Sequence, residues 1–117
     1  MEEKITVLLV EPGKDPKLTE VANRLPDMQE LVGGHIEAYG LDEDEKNLMV
    51  CNEEGKIMGL PVNFLLRSEG KCIDYVAGTA FICSTDGEGN FTSFRGSPEE
   101  LGRCIRRGIR GEVMLRW

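Results

Sequence analysis

Six of the eight arginines lie in the last 23 residues of the 117-residue chain. A guanidinium presents a planar fork of donors that matches phosphate and carboxylate oxygens. Arg103, Arg106 and Arg107 share one face if their segment is helical, and Arg95 and Arg110 flank them. The chemistry open to such a stripe is capture of an anion, either a small ligand or an acidic partner. A solvated helix face accounts for the same residues, because cations suit the negative end of a helix dipole. Asn52 and Asn63 are further candidate ligand contacts, since each stands in a compact polar segment beside apolar ones (Asn52–Lys56 and Gly59–Asn63). Loops carried on a rigid scaffold often hold binding groups. Ordinary turn and capping chemistry also explains both asparagines.

The inventory for catalysis is thin. His35 is the single histidine, so an H-E-x-x-H zinc site is excluded, and neither G-x-S-x-G nor the G-x-x-x-x-G-K-[ST] phosphate loop occurs. Four cysteines stand at positions 51, 72, 83 and 104 without a C-x-x-C pair, each beside apolar residues. That context reads as buried, reduced thiols acting as small hydrophobes. Asp86-Gly87-Glu88-Gly89-Asn90 lacks the order of ligands a calcium loop needs and reads as a hairpin turn. With 21 acidic residues, paired carboxylates carry no information. The expectation is a non-catalytic protein with no metal and no cofactor.

The elements that would position these groups follow from hydrophobic period and turn residues. Lys4–Val10 reads as a buried strand, and Glu11–Pro16 as a turn that two prolines and a glycine impose. Leu18–Ala22 can return as a second strand. Pro26, Asp27 and the spacing of Met28, Leu31 and Val32 predict a two-turn helix that Gly33-Gly34 stops. His35–Leu41 and Leu48–Cys51 predict a hairpin around the acidic turn Asp42–Asn47. Leu60–Arg67 predicts a short helix opened by Pro61. Asp74–Ser84 predicts one long strand with a bulge or close backbone approach at Gly78, and Phe91–Phe94 its hairpin partner. Ser97, Pro98 and Glu100 form a capping box for a last helix, with Leu101, Cys104, Ile105 and Gly108 on its apolar face. Glu112–Trp117 alternates again and can close the sheet. The expected fold is α+β: a mixed, mainly antiparallel sheet with two or three short helices, in a single domain over residues 1–117.

Composition sets the class. At this length a chain buries roughly 65% of the surface it exposes when unfolded, enough for a core without metals or disulfides. Net charge is −7, but residues 1–90 carry 18 acids and 8 bases, whereas residues 91–117 carry 3 acids and 6 bases. A negative surface argues against duplex nucleic acid as a partner. No apolar run reaches the ~20 residues of a membrane span, and the acidic start Met1–Lys4 is unlike a signal peptide. A reducing bacterial cytoplasm is the expected compartment.

Several segments taken together resemble a known family. They are Glu11-Pro12-Gly13-Lys14, Leu31–Glu37 (LVGGHIE), Cys51–Lys56 (CNEEGK), Gly59–Asn63 (GLPVN), Val76–Ile82 (VAGTAFI) and Gly87–Phe91 (GEGNF). Their order and spacing resemble the domain of unknown function 3846, small proteins of phages and mobile elements in Firmicutes and related bacteria. The resemblance covers roughly residues 4–95 and leaves the arginine-rich end outside. Members often carry a basic residue after the asparagine of the G-L-P-x-N segment; Phe64 stands there in this chain. The family supplies context and no activity: small phage proteins often act by binding, and some blunt host immunity. The expected function is an anti-defence binding protein that sequesters a small anionic, nucleotide-type ligand through Arg95, Arg103, Arg106, Arg107, Asn52 and Asn63. The alternative is an acidic inhibitor of a host defence protein, acting through Asp42–Glu45. Homodimerisation is compatible with either.

Overall fold

The computed structural model describes residues 3–41, 46–68, 71–96, 105–109 and 112–113. In chain order the elements are β1 (Lys4–Val10), β2 (Lys17–Ala22), α1 (Leu25–Val32), β3 (Ile36–Gly40), β4 (Asn47–Asn52), β5 (Val62–Ser68), β6 (Lys71–Ala77), β7 (Ala80–Thr85), β8 (Phe91–Thr92), β9 (Ile105–Ile109) and β10 (Glu112–Val113). They form two antiparallel sheets. The first runs β2-β1-β7-β4-β3 with β8 added to β7, and the second runs β10-β9-β5-β6.

Three strands at the centre of the first sheet are apolar on both faces, which is why β1 and β7 read as nearly unbroken hydrophobic runs. Ile5, Val7, Leu9, Val50, Phe81 and Cys83 pack on one face against Met28 and Val32 of α1. Leu8, Val10, Met49, Cys51, Ala80 and Ile82 pack on the other face against Phe64, Leu66 and Val76 of the second sheet. The order of layers is therefore helix, sheet, sheet. Because side chains alternate along a strand, each central strand supplies both cores.

Helix α1 forms for the reasons legible in its sequence. Pro26 and Asp27 occupy its first turn, and the chain leaves it through Gly33 at φ 81°, whose N–H donates to the Gln29 carbonyl. The β3–β4 hairpin is also observed, with Tyr39 opposite Met49. Its acidic turn Asp42–Glu45 lies outside the described residues.

Other expectations are corrected. Residues 62–68 are strand, not helix, because Phe64 and Leu66 both enter the core, and residues two apart share a face only in extended chain. The long strand expected over 74–84 is two strands in two different sheets, β6 and β7, separated at Gly78 with φ 90°. The last helix is overturned at 105–109, which pair with β5 in an antiparallel register placing Arg107 opposite Phe64 and Arg106 opposite Leu65. Ile105 and Ile109 are β-branched and Gly108 weakens a helix, so the local preference for helix is weak there and the segment pairs with the open edge of β5. The capping box at Ser97–Glu100 and Arg103 lie outside the described residues. One helix, rather than two or three, is present among the described residues, on a largely antiparallel α+β framework. No described helix is long and apolar enough to cross a membrane.

Candidate functional site

The segments that are compact and polar in the sequence meet at one end of the molecule, around the loop from Glu53 to Pro61 that joins β4 to β5. Asn52, at the end of β4, is buried. Its Nδ2 donates to the Val32 carbonyl at 3.3 Å and to the Met58 sulfur at 3.6 Å, and its Oδ1 accepts the Glu54 N–H at 2.7 Å. It thus joins the end of α1 to the loop. Asn63, at the start of β5, is fully buried, and its Nδ2 donates to the carbonyls of Val10 (2.8 Å) and Gly78 (2.9 Å). Those two carbonyls belong to β1, just before the Glu11–Lys14 turn, and to the β6–β7 corner. One amide group therefore ties three loops together.

Backbone contacts complete the frame. Leu60 N–H donates to the Gly55 carbonyl at 3.0 Å, and Gly78 N–H to the Pro61 carbonyl at 2.7 Å. Gly55 packs so closely on the Ala77 carbonyl that a Cβ there would overlap it. At Gly78 a Cβ would lie 2.7 Å from the Leu60 Cδ1, on a residue whose positive φ already disfavours a side chain.

Two clefts flank this loop. The larger, of about 440 Å³, lies between the Glu11–Lys14 turn, the end of α1, the Met58–Pro61 segment and Gly78-Thr79. Leu31, Met58, Leu60 and Pro61 give it apolar walls, and Glu11, Lys14 and Glu30 give it polar groups. Glu11 is shared between Lys14 at 3.5 Å and Lys17 at 3.9 Å. The smaller cleft, of about 120 Å³, lies on the other side of the loop and is lined by Glu37, Cys51, Lys56, Asp74 and Tyr75 among others. There Lys56 pairs with Asp74 and stands 4.6 Å over the centre of the Tyr75 ring. Burial alone would raise the Asp74 carboxyl, but hydrogen bonds from Lys56 and from the Tyr75 N–H outweigh it and hold it below the ordinary carboxyl range. The same hydrogen bond holds the Lys56 ammonium above its ordinary value. Desolvation pushes the Cys51 thiol up to about 11, helped by the negative charges of Glu37 and Asp74, and pushes Cys83 up to about 12. Both are therefore protonated and unreactive at neutral pH, as the apolar surroundings of these cysteines in the sequence imply.

The predicted ligand residues do not all converge. Asn52 and Asn63 lie at the loop end, with their amides engaged by the protein's own backbone. Arg95 is at the opposite end of β7, where its Nη2 donates to the Thr85 carbonyl at 2.7 Å and its Nη1 to the Thr92 hydroxyl at 3.4 Å. Six residues of extended strand separate Ala80 from Thr85 inclusive, a distance of about 17 Å. Arg106 and Arg107 stand on β9 beside the strand that leads out of the cleft wall. Glu30, Met58 and Asp74 carry no signal in the sequence that marks them as site residues, and Lys56 and Leu60 are marked there only as members of the two polar segments. The Lys56–Asp74 pair in particular depends on β5 being a strand, since only the β5–β6 hairpin folds Asp74 back beside the loop.

A family model described as Domain of unknown function (DUF3846) matches residues 5–101. The chain belongs to this family. The match takes in all of the loop end just described: Glu11–Lys14, Leu31–Glu37, Cys51–Lys56, Gly59–Asn63 and Val76–Ile82, scattered along the sequence, come together there, whereas Gly87–Phe91 lies at the far end of β7 beside Thr85. No curated protein and no solved structure gives a significant match.

Proposed function

We propose that this DUF3846 protein is a non-catalytic binding protein that captures a small anionic, nucleotide-type ligand at its loop-bearing end. The observation that carries the reading is the cleft of about 440 Å³, bounded by four segments distant in sequence. It falls in the size range of small-molecule sites, with apolar walls and a few polar groups. Its walls are held by Asn52, by Asn63 and by backbone bonds, so ordering them is not left to the ligand. A cation for an anionic ligand is near: β9, paired with β5, carries Arg106 and Arg107 at successive register positions, one on each face of the sheet, and β5 begins where the cleft wall at Pro61 ends. In a phage or mobile element, a protein of this kind would act by withdrawing a nucleotide signal from a host defence system.

Native mass spectrometry of the purified protein, repeated with a panel of linear and cyclic nucleotides, tests the reading. A stoichiometric mass shift, lost when Arg103, Arg106 and Arg107 are replaced together by alanine, is the expected result. An unliganded peak throughout the panel overturns it.

One observation favours the second reading, an inhibitor of a host protein. Ile57, Met58 and Val62 are 85%, 55% and 50% exposed at the same loop end, an apolar surface suited to a protein partner. The acidic turn Asp42–Glu45, which that reading also uses, lies outside the described residues.

A further inference from the structure

The polar groups of the larger cleft differ in how far they are neutralised. Glu11 has two lysines within 4.0 Å, whereas Glu30 makes no ion pair with any described residue. Glu30 also stands in the last turn of α1, which carries no basic residue to balance the negative end of the helix dipole. The cleft therefore has one wall that accepts hydrogen bonds and favours positive partial charge. The facing walls, from Leu31, Met58, Leu60 and Pro61, are apolar and suited to the faces of a flat ring.

Resting on the nucleotide reading, we infer that this cleft takes the base of the ligand and that the base is guanine-type, with Glu30 receiving its donor edge. Guanine presents the N1–H and the 2-amino group side by side, and an ionised carboxylate has two acceptor oxygens that can take both. Adenine sets one amino group beside an unprotonated ring nitrogen, which faces the carboxylate acceptor to acceptor. Uracil sets a single N–H between two carbonyls, which repel the carboxylate from both sides. Hypoxanthine keeps the N1–H and loses the second donor, so it ranks between guanine and adenine. The phosphate, on this arrangement, points away from Glu30 and the α1 terminus, because an anion there would meet like charge.

Titration calorimetry with GMP, IMP, AMP and UMP against the whole chain tests the assignment. The expected order is GMP, then IMP, then AMP and UMP, with GMP about tenfold tighter than AMP, which corresponds to one net charge-assisted hydrogen bond. Glu30→Gln keeps an acceptor oxygen but replaces the other with a donor, and it is expected to bring GMP down to the affinity of AMP. Glu30 is exposed at the helix end, so an unchanged melting temperature in this variant separates loss of recognition from loss of folding. Equal binding of AMP or UMP and GMP, or a GMP preference untouched by Glu30→Gln, overturns the base assignment and leaves the nucleotide reading standing. Binding of none of the four, together with an unliganded spectrum across the wider panel, overturns both.

Discussion

At the scale of single residues, Asn63 has the largest structural consequence for its size. Its side chain is fully buried and its Nδ2 satisfies two main-chain carbonyls, Val10 and Gly78, which have no water to turn to. Leucine has the same branched skeleton, though its methyl groups are bulkier, and it leaves both carbonyls without this donor. An unsatisfied buried acceptor costs about 1–3 kcal/mol. Loss of the donor to two carbonyls is offset in part by removal of the unpartnered Asn63 oxygen, so Asn63→Leu is expected to lose about 1–3 kcal/mol, measured by urea denaturation. Because the two carbonyls flank the cleft, the variant should also lose protection from hydrogen exchange at Glu11–Lys14 and Gly78-Thr79 before it unfolds globally. A loss under about 0.5 kcal/mol, the range of neutral surface changes, would show that the amide does not hold these loops. The asparagine oxygen is buried without a hydrogen-bond partner among the described residues. The amide orientation is nevertheless determined, since turning it over would set that oxygen against two carbonyls. Asn52 works in the same way from the other side of the loop, tying Val32 and Glu54.

At the scale of elements, what could be read from the sequence follows from whether local preference and tertiary need agree. In α1, Pro26, Asp27, the Met28 and Val32 spacing and Gly33 all point to a helix, and the core accepts that same face. In β1, alternation between two cores makes every residue from Val7 to Val10 apolar and buried. The segment Leu60–Arg67 misleads because Pro61 can open a helix or precede a strand equally well. What decides is that Phe64 and Leu66 are both needed in the core between the sheets. Gly78 shows a similar limit: the sequence marks a close approach there, yet only the structure shows the chain changing sheets. The candidate site was legible in part, since Asn52 and Asn63 stand out by type and context. Glu30 and the Lys56–Asp74 pair do not, because their roles depend on which loops meet. The two-sided burial of the central strands has a measurable corollary. Phe81 on β7 is fully buried against α1, while Leu18 on the edge strand β2 is 66% exposed. Phe81→Ala is expected to destabilise the protein by about 3–5 kcal/mol. Leu18→Ala should change stability by less than about 0.5 kcal/mol. Comparable effects in a denaturation series would contradict the helix, sheet, sheet layering.

At the scale of the whole molecule, the proposed function sets a local attraction against a global repulsion. The chain carries net −7, with 18 acids and 8 bases before residue 91 and 3 acids and 6 bases after it. The molecule is 38 Å along its longest axis. At 10 mM salt the Debye length is about 30 Å, so an approaching anion feels nearly all of that charge and is repelled. At 150 mM it is about 8 Å, and only groups near the mouth of the cleft act on the ligand. Capture of an anion by this protein should therefore speed up with salt over this range, the reverse of what a uniformly basic binder would do. For GMP the association rate constant is expected to rise about two- to fivefold between 10 and 150 mM sodium chloride, read from NMR line shapes at a fixed ligand ratio. On the proposed reading the dissociation rate constant should rise as well, because salt also screens the local positive charge that holds the anion. The equilibrium constant therefore changes less than either rate, and the two rates must be measured separately. An association rate that falls steadily from 10 mM upward would mean that the positive end of the chain dominates the field at the cleft mouth even at long range. The arginines would then both steer the ligand and hold it, and the acidic majority of the surface would face away from the path of approach.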